Sequence, residues 1–448
     1  STTIAAHLCE LASGEVLASA GCMNPQIRFG EDLMSRVSYI MMNPGGDEEL
    51  TSAVREALNE LVCDVAESAD VIPADIVELT VVGNPIMHHL VLGLNPVELG
   101  QAPFALTTDR AVNVTAHELG IDINRGGYVY ALPCIAGHVG ADTAGVLLAE
   151  APFARDEVSL IVDVGTNAEI LLGNRERILA ASSPTGPAFE GAQISGGQRA
   201  APGAIERVRI DPETLEPRYR VIGCERWSDE PEFADELPKS GVTGICGSGI
   251  IEAIAELYLV GVINQDGVIT ADNVARSERV QPDGRTFSYT LVDGEPGVVI
   301  RQNDVRAIQL AKAALYAGAR LLMEKLGVDS VDRIRLAGAF GAHIDVTYAM
   351  VLGMIPDCAL DQVSSAGNAA GTGARIALLD RASRDLVDKQ TRQVRKIETA
   401  VEERFQHHFV GAMAIPHADD PFPKLQSAVT LPARKASATP GKRRKRRR

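Results

Sequence analysis

Residues 160–172 read LIVDVGTNAEILL, two apolar runs separated by a short polar turn. Aliphatic and β-branched residues on both sides of the turn predict a β-hairpin, with Asp163, Gly165, Thr166 and Asn167 at its tip. A glycine there lets backbone N–H groups approach a phosphate, and an aspartate can hold a metal ion beside a phosphoryl group. The stretch therefore predicts either a nucleotide-binding hairpin or an ordinary hairpin with a hydrophilic turn.

The composition indicates large aliphatic cores. Of the 448 residues 46% are hydrophobic but only 4% are aromatic, and a chain of this length is expected to form two or more domains. The seven cysteines form no CxxC or CxxH spacing, which excludes a zinc or iron–sulfur site built from neighbouring cysteines. The odd cysteine count, with no signal-peptide pattern and no membrane-spanning apolar run, predicts a cytoplasmic protein.

The charge is strongly acidic apart from one basic segment. The net charge is −16, although residues 442–448, KRRKRRR, are all basic; residues 1–441 alone carry 36 basic and 59 acidic side chains, a net charge of −23. Such a surface repels phosphates, so general nucleic-acid binding is not expected. Residues 425–448, rich in Pro, Ala, Ser, Lys and Arg, are predicted to form a disordered basic tail.

Both halves of the chain begin with a predicted hairpin and continue with βα units. Residues 1–20 predict the first hairpin, and glycine-rich turns that open helices recur at 133–150, 243–257 and 366–379. This organisation predicts a duplicated α/β core with a cleft between its halves. The expected segments are a first lobe at 1–150, a second lobe at 151–380 and a C-terminal helical return at 381–424, followed by the tail.

The glycine-rich segments each have a structural and a functional interpretation. In residues 333–345, RIRLAGAFGAHID, the turn with Gly338 and Gly341 either packs against a base or ribose or only joins a strand to a helix. Gly247 and Ser248 begin a helix whose free N–H groups either bind an anion or have no ligand. Further along, the helix after residue 366 is expected to pack closely on a neighbour through Gly371 and Gly373.

The order of these segments resembles the actin, hexokinase and heat-shock ATPase superfamily. Five phrases are more specific and resemble the ATPase region of the reductive activators of corrinoid proteins: VVGNPIMHHLVLG (81–93), LPCIAGHVGADTAG (132–145), SSPTGPAFEGAQISGG (182–197), GICGSGIIEAIAELYLVG (244–261) and IRLAGAFGAHID (334–345). The resemblance covers residues 1 to about 424. It implies an α/β, duplicated actin-like ATPase fold of the ribonuclease H-like type, with two lobes and a nucleotide cleft between them.

The resemblance also implies a function. Members of this family use ATP to drive electron transfer to an inactive Co(II) corrinoid, which returns to Co(I) for methyl transfer. ATP, Mg²⁺ and a corrinoid protein are therefore the expected ligands and partner, with a homodimer as one assembly. The family's 2Fe–2S cluster lies in an N-terminal ferredoxin domain, which is expected upstream of these residues. Two alternatives are a nucleotide-responsive binding module without catalysis and a small-molecule kinase of the same superfamily.

Site residues follow from the matched motifs. Asp163 is expected to bind Mg²⁺ and act in catalysis, and Glu190 to orient the attacking water or remain a solvated loop residue. The other expected nucleotide contacts are Thr2, Thr3, Gly165, Thr166, Asn167, Gly247, Ser248, Gln309, Lys312, Gly338 and Gly341. Ser1 to Thr3 resemble the end of a first phosphate element without its Asp-x-Gly, so the chain is expected to be a fragment that hydrolyses ATP weakly or not at all.

The connecting helices supply the expected hinge. Gly140 and Gly371 precede or lie within helices of small residues, where two helices could pack closely and slide. His138 and Asp142, four residues apart in GHVGAD, suggest a metal pair, but no third ligand accompanies them. Both are therefore assigned to the hinge.

Overall fold

The structure is a computed structural model that describes residues 2–165, 167–294, 297–341 and 343–433, without the side chains of Ala339 and Phe340. Thr166 and most of the predicted basic tail lie outside the described residues. In the first half the strands and helices are β1 (Thr3–Cys9), β2 (Val16–Met23), α1 (Leu33–Met42), α2 (Gly46–Ser68), β3 (Glu78–Val81), α3 (Pro85–Leu92), β4 (Val112–Thr115), β5 (Tyr128–Ala131) and α4 (Ala141–Glu150).

The second half is larger and contains more strands. Its first elements are β6 (Ser159–Val164), β7 (Ala168–Gly173), β8 (Ile178–Ser183), β9 (Ala204–Ile210), β10 (Pro217–Val221), α5 (Phe233–Glu236), β11 (Gly244–Ile245), α6 (Gly247–Leu259), β12 (Val280–Asp283), β13 (Thr286–Val292) and β14 (Val298–Arg301). The remaining elements are α7 (Gln302–Leu326), β15 (Arg333–Ala337), α8 (Gly338–Gly341), α9 (Val346–Leu352), β16 (Val363–Gly367), α10 (Ala369–Leu379), α11 (Arg381–Thr391), β17 (Arg395–Lys396), α12 (Glu403–Ala412) and α13 (Pro423–Ala428).

A six-stranded sheet organises the second half, in the order β16-β15-β6-β7-β8-β17. The hairpin predicted from residues 160–172 is confirmed: β6, β7 and β8 are antiparallel neighbours, while β15, β16 and β17 join in parallel. Side chains alternate between the faces of a strand, so Leu160 and Val162 enter the large core with α7, whereas Ile161 packs with α4. Both faces are covered by helices, which explains the nearly continuous apolar sequence of β6.

The first half is built on two smaller sheets. β1 and β2 form the predicted hairpin, which stands as a separate two-stranded sheet with α2 packed on it. β3, β5 and β4 form a three-stranded sheet, in which β3 and β5 run parallel. The strands β12, β13 and β14 of the second half form an antiparallel meander that the sequence patterns did not predict.

Helices α4 and α10 cross where the two halves of the chain meet. A Cβ on Gly373 would lie 2.0 Å from the carbonyl oxygen of Gly145, so the two backbones touch at these glycines. The nearest neighbour of a Cβ on Gly371 would instead be the side chain of Asn368, the residue that caps α10. Close packing of these helices is confirmed at Gly373, one of the two glycines expected in the contact, whereas Gly371 meets its own helix cap.

The C-terminal return covers α7. His408 of α12 lies 2.8 Å from the carboxylate of Glu324 on α7. Residues 425–428, which the sequence assigned to the tail, are helical instead: Pro423–Ala428 forms α13, whose first turn donates two N–H bonds to the carboxylate of Asp357 and buries Leu425. Across the described part of the chain, no helix combines the length and the apolar character that crossing a membrane requires.

Candidate functional site

A cleft of about 1030 Å³ is lined by residues from both halves of the chain. Asn84 and Asp142 line it from the first half, and the hairpin tip and α6 line it from the second. Its size matches the upper range of cavities that bind drug-sized or cofactor-sized ligands. The residues of this cleft are the candidate functional site.

The hairpin tip is held in a defined conformation. The N–H of Gly165 donates to the carbonyl oxygen of Asn167 at 3.1 Å, and the hydroxyl of Thr185 donates to the carbonyl oxygen of Gly165 at 3.0 Å. These bonds hold the backbone of the turn that follows Asp163, the penultimate residue of β6, which lines the cleft. The register of the hairpin places Glu169 directly opposite Asp163.

Gly338 closes on Asp163 from the neighbouring strand. It follows β15, which pairs with β6 so that Ala337 lies beside Asp163. Gly338 has a φ of +86°, a conformation that favours glycine, and a Cβ at this position would lie 2.4 Å from Oδ1 of Asp163. The positive φ and the short distance to Asp163 each require a glycine at this position. Because Gly338 has no side chain, its backbone leaves open space directly beside the carboxylate, which we call the Gly338 cradle.

Three carboxylates are gathered in the cleft with few compensating contacts. Burial, together with the nearby charge of Asp142, raises the pKa of Asp163 to about 7. Burial also raises the pKa of Asp142 and, with the charges of Asp142 and Asp163, the pKa of Glu169. Loss of hydration and like charges both disfavour ionisation. Such a cluster becomes fully ionised most easily when a cation binds among its members.

The donor set fits a magnesium nucleotide. Within residues 2–165, 167–294, 297–341 and 343–433 there is no group of three or more His, Cys, Asp or Glu side chains that could hold a metal ion by themselves. Mg²⁺ commonly takes only one or two carboxylates and completes its shell with water and phosphate oxygens. Asp163 beside the Gly338 cradle is suited to that mode of binding.

Nine of the sequence-predicted residues meet in the cleft: Thr2, Thr3, Asp163, Gly165, Asn167, Glu190, Gly247, Ser248 and Gly338. Thr2 and Thr3 lead into β1, and Gly247 and Ser248 begin α6 on the opposite wall. Thr166 lies outside the described residues. The sequence therefore identified about a third of the residues that line the cleft, although these residues are widely separated along the chain.

Gln309 and Lys312 were wrongly assigned to the ribose or base. Gln309 donates through Nε2 to the carbonyl oxygens of Asp266 and Met413, at 3.1 and 2.6 Å. Lys312 donates to the carbonyl oxygens of Ala414 and Pro416, and burial lowers its pKa well below the usual range. Both side chains are fully buried under the C-terminal return, which they tie to α7, and neither lines the cleft.

Gly341 also lies away from the cleft lining. Gly341 is the last residue of α8, and a Cβ there would meet the backbone of Leu336 at 3.1 Å, so the glycine allows α8 to pack closely on β15. Gly338 lines the cleft, whereas Gly341 is outside the described lining, so an adenosine contact by Gly341 stays a prediction.

Two acidic residues of the site were missed. Glu169 had a signal in the sequence, because a three-residue turn after Val164 puts it opposite Asp163 on the same face of the hairpin. Asp142 was interpreted as a hinge residue, yet its carboxylate accepts the N–H of Thr143 at 2.8 Å and lines the cleft beside the hairpin. Its partner in that motif, His138, packs edge-on against Phe104 instead.

The fold and the cleft define an actin-like ATPase of the ASKHA class. Residues 157–426 match a family model described as the C-terminal domain of RACo, the ASKHA domain, and residues 1–151 match one described as the RACo middle region. The chain belongs to this family, the reductive activators of corrinoid proteins. The family and the fold predicted from the sequence are thereby confirmed.

Named relatives agree with this assignment. The chain is 35% identical over 417 residues to the corrinoid activation enzyme RamQ of Eubacterium limosum, covering 90% of this chain and 67% of that protein. It is 30% identical over 264 residues to the [Co(II) methylated amine-specific corrinoid protein] reductase of Methanosarcina barkeri, covering 56% and 45%. A solved structure of a reductive activator for corrinoid,iron-sulfur protein is similar, with a TM-score of 0.80, 34% identity and coverage of 93% and 65%. The chain thus spans about half to two thirds of the length of these proteins.

Proposed function

We propose that this chain binds Mg-ATP in the cleft and uses it to drive the reductive activation of a corrinoid protein from Co(II) to Co(I). The two curated relatives are named for corrinoid activation and for reduction of a Co(II) corrinoid protein. The observation that carries the proposal is the apposition of Asp163 and Gly338 inside a cleft lined from both halves. A carboxylate beside a backbone cradle is the arrangement that metal-bound phosphates need.

Different cleft residues are proposed to bind the metal ion and the phosphates of the nucleotide. Asp163 would hold Mg²⁺, which supplies positive charge to the phosphates when it is bound. The side chain of Asn167 and the N–H groups at the start of α6 would contact phosphate oxygens, because both line the cleft, whereas the N–H of Gly165 already donates to the carbonyl oxygen of Asn167. Thr2 and Thr3 would approach the phosphates from the first half. A ligand held by both halves favours their closure.

Glu190 is proposed to orient the attacking water. It ends a short helical turn, Pro187–Glu190, and lines the cleft on the side of the second half. A carboxylate positions a water molecule by accepting its hydrogen bond, and the water then lies in line with the transferring phosphoryl group. Asp163 would act on the same reaction by holding the metal.

The electrons are proposed to come from a 2Fe–2S cluster outside these residues, and the acceptor is the corrinoid protein. The seven cysteines of the chain lie on separate elements of both halves, and four of them are buried. A strongly acidic body would favour a partner with a complementary basic face. Light scattering of the purified chain, alone and with the corrinoid protein, tests both this complex and the proposed homodimer.

Calorimetry with Mg-ATP tests the nucleotide site through Gly338→Ala. A methyl group at residue 338 would be forced onto Oδ1 of Asp163, so ATP affinity is expected to fall by at least tenfold, since about 1.4 kcal/mol is enough for that change. Gly45→Ala is the matched control. Its φ of +83° causes the same backbone strain, but nothing lies within 4 Å of the added Cβ.

The outcomes separate the candidate functions. Loss of affinity in Gly338→Ala but not in Gly45→Ala supports the cleft as the nucleotide site. Equal affinity in both variants and in the unchanged chain places the nucleotide elsewhere. If the chain binds Mg-ATP and the Co(II) corrinoid protein but a reduction assay with an added electron donor shows no Co(I), the binding-module alternative is favoured.

A further inference from the structure

The cleft has a strongly unequal distribution of charge. Six carboxylate side chains line it: Asp32, Asp142, Asp163, Glu169, Glu190 and Glu206. Among the described residues that line the cleft, Arg199 is the sole lysine or arginine. A triphosphate entering this site is repelled by the carboxylates, and one divalent cation offsets only part of that repulsion. A fixed protein cation in the cleft is therefore of particular value for binding an anionic ligand.

Arg199 reaches from the second half of the chain to the first. Its Nη1 lies 3.7 Å from Sδ of Met23, the last residue of β2. Met23 is paired with Thr3 in the β1–β2 hairpin, and directly paired residues in a sheet have Cβ atoms about 5 Å apart. The guanidinium group thus lies close to the strand that carries the proposed phosphate contacts Thr2 and Thr3.

The backbone beside Arg199 is anchored. The N–H of Gln198 donates to the carbonyl oxygen of Ile245 at 2.9 Å, and its side-chain amide donates to the hydroxyl of Thr243 at 2.9 Å. Both partners lie just before α6, the helix whose start lines the cleft. The base of the Arg199 side chain is therefore held beside the start of α6, and Arg199 is an exposed residue that lines the cleft.

We propose that Arg199 is a phosphate-binding residue that contacts the outer phosphates of the nucleotide and joins the two halves of the chain through that contact. This inference rests on the proposed function, since it names a further residue of the same site. A guanidinium group can bind a phosphate through two parallel N–H···O bonds. Such a bond is stronger than the contact with the methionine sulfur, so the ligand would replace Sδ of Met23 as the partner of Arg199.

Calorimetry of Arg199→Gln and Arg199→Lys with Mg-ATP, Mg-ADP and adenosine tests the proposal. Arg199→Gln is expected to weaken Mg-ATP binding by about 10- to 100-fold, the usual effect of losing a charged hydrogen bond. Adenosine, which lacks phosphates, is expected to bind Arg199→Gln as it binds the unchanged chain. Arg199→Lys should lie between the two, because an ammonium keeps the charge but loses the paired geometry.

Arg125→Gln is the matched control, since Arg125 is an exposed arginine that does not line the cleft. Unchanged Mg-ATP affinity in Arg199→Gln, with normal binding by the parent chain, would overturn the role of Arg199 alone. An equal loss for adenosine and ATP would also overturn it, because a phosphate contact cannot affect adenosine. If the parent chain binds no nucleotide, the proposed function itself fails and the role of Arg199 fails with it.

Discussion

At the scale of single residues, the position of Asp163 favours cation binding but lowers the stability of the folded chain. Its carboxylate is shielded from bulk water and faces Asp142 and Glu169, so its pKa is raised to about 7. The ionised form that would bind a cation is also the form that the folded chain tolerates least. Residues that reduce the stability of the fold in this way are typical of functional sites.

We expect Asp163→Asn to be more stable than the parent chain, and increasingly so at high pH. Between pH 3.8, the ordinary pKa, and about 7 the folded chain holds a proton at Asp163 that the unfolded chain has lost. The free energy of unfolding therefore falls as pH rises through this interval. The gain from asparagine should be small at pH 4 and on the order of 1–3 kcal/mol at pH 8. Denaturant unfolding at both pH values measures it.

Asp361→Asn serves as the control, because Asp361 is an exposed aspartate that does not line the cleft. A gain for Asp163→Asn that is equal at pH 4 and pH 8 would contradict the proposed titration. Added Mg-ATP should reverse the order of stability, since it stabilises only the chain that can bind it.

At the scale of elements, the contact between α4 and α10 joins the two halves. Gly145 and Gly373 allow the two backbones to touch, so neither position has room for a side chain. A contact of this kind combines close packing with few interlocking side chains. It is therefore suited to small movements of one helix along the other.

Gly373→Ala is expected to destabilise the chain by roughly 1–3 kcal/mol, the range found for overpacked cores. The added methyl would lie 2.0 Å from the carbonyl oxygen of Gly145, so the helices must separate. Gly371→Ala is the comparison, because its Cβ would displace the capping side chain of Asn368 and not the backbone of α4, so the expected cost is the loss of one helix cap. Thermal and denaturant unfolding of the two variants should show the larger loss at residue 373; the reverse order would place the helix contact elsewhere.

At the scale of the whole molecule, the cleft and the α4–α10 contact are placed to couple nucleotide binding to binding of the corrinoid protein. The nucleotide would touch both halves, and α4 carries Asp142 into the cleft at one end and Gly145 against α10 further along. A ligand shifts such an arrangement only by its difference in affinity for the two states. Binding of ATP and of the corrinoid protein should therefore be linked.

We predict that Mg-ATP and the corrinoid protein change each other's affinity by the same factor, about 5- to 150-fold if the coupling is of ordinary size. The measurement is the affinity for the Co(II) corrinoid protein with and without Mg-ATP, and the reciprocal affinity for ATP. Gly373→Ala should reduce this factor more than it reduces ATP affinity alone. Equal coupling in Gly371→Ala and Gly373→Ala would show that the α4–α10 contact does not transmit the change.

The amino-acid sequence by itself determined the local features of this protein. The hairpin at residues 160–172 and the glycine-led start of α6 depend on side chains within a few positions of one another, and both form as predicted. Gly338 and Asp163 could likewise be recognised as candidate cleft residues from the sequence. Gly338 comes directly after β15, and Asp163 is the penultimate residue of β6.

Only the tertiary structure decided which residues face the cleft. Lys312 occupies a plausible position on α7, but it binds carbonyl groups about a hundred positions later in the chain. Asp142 and Arg199 enter the site because the two halves meet there, and neither has a local pattern that requires it. Hydrophobic periodicity defines the buried side of an element, but the packing of distant segments determines which buried surface becomes a binding site.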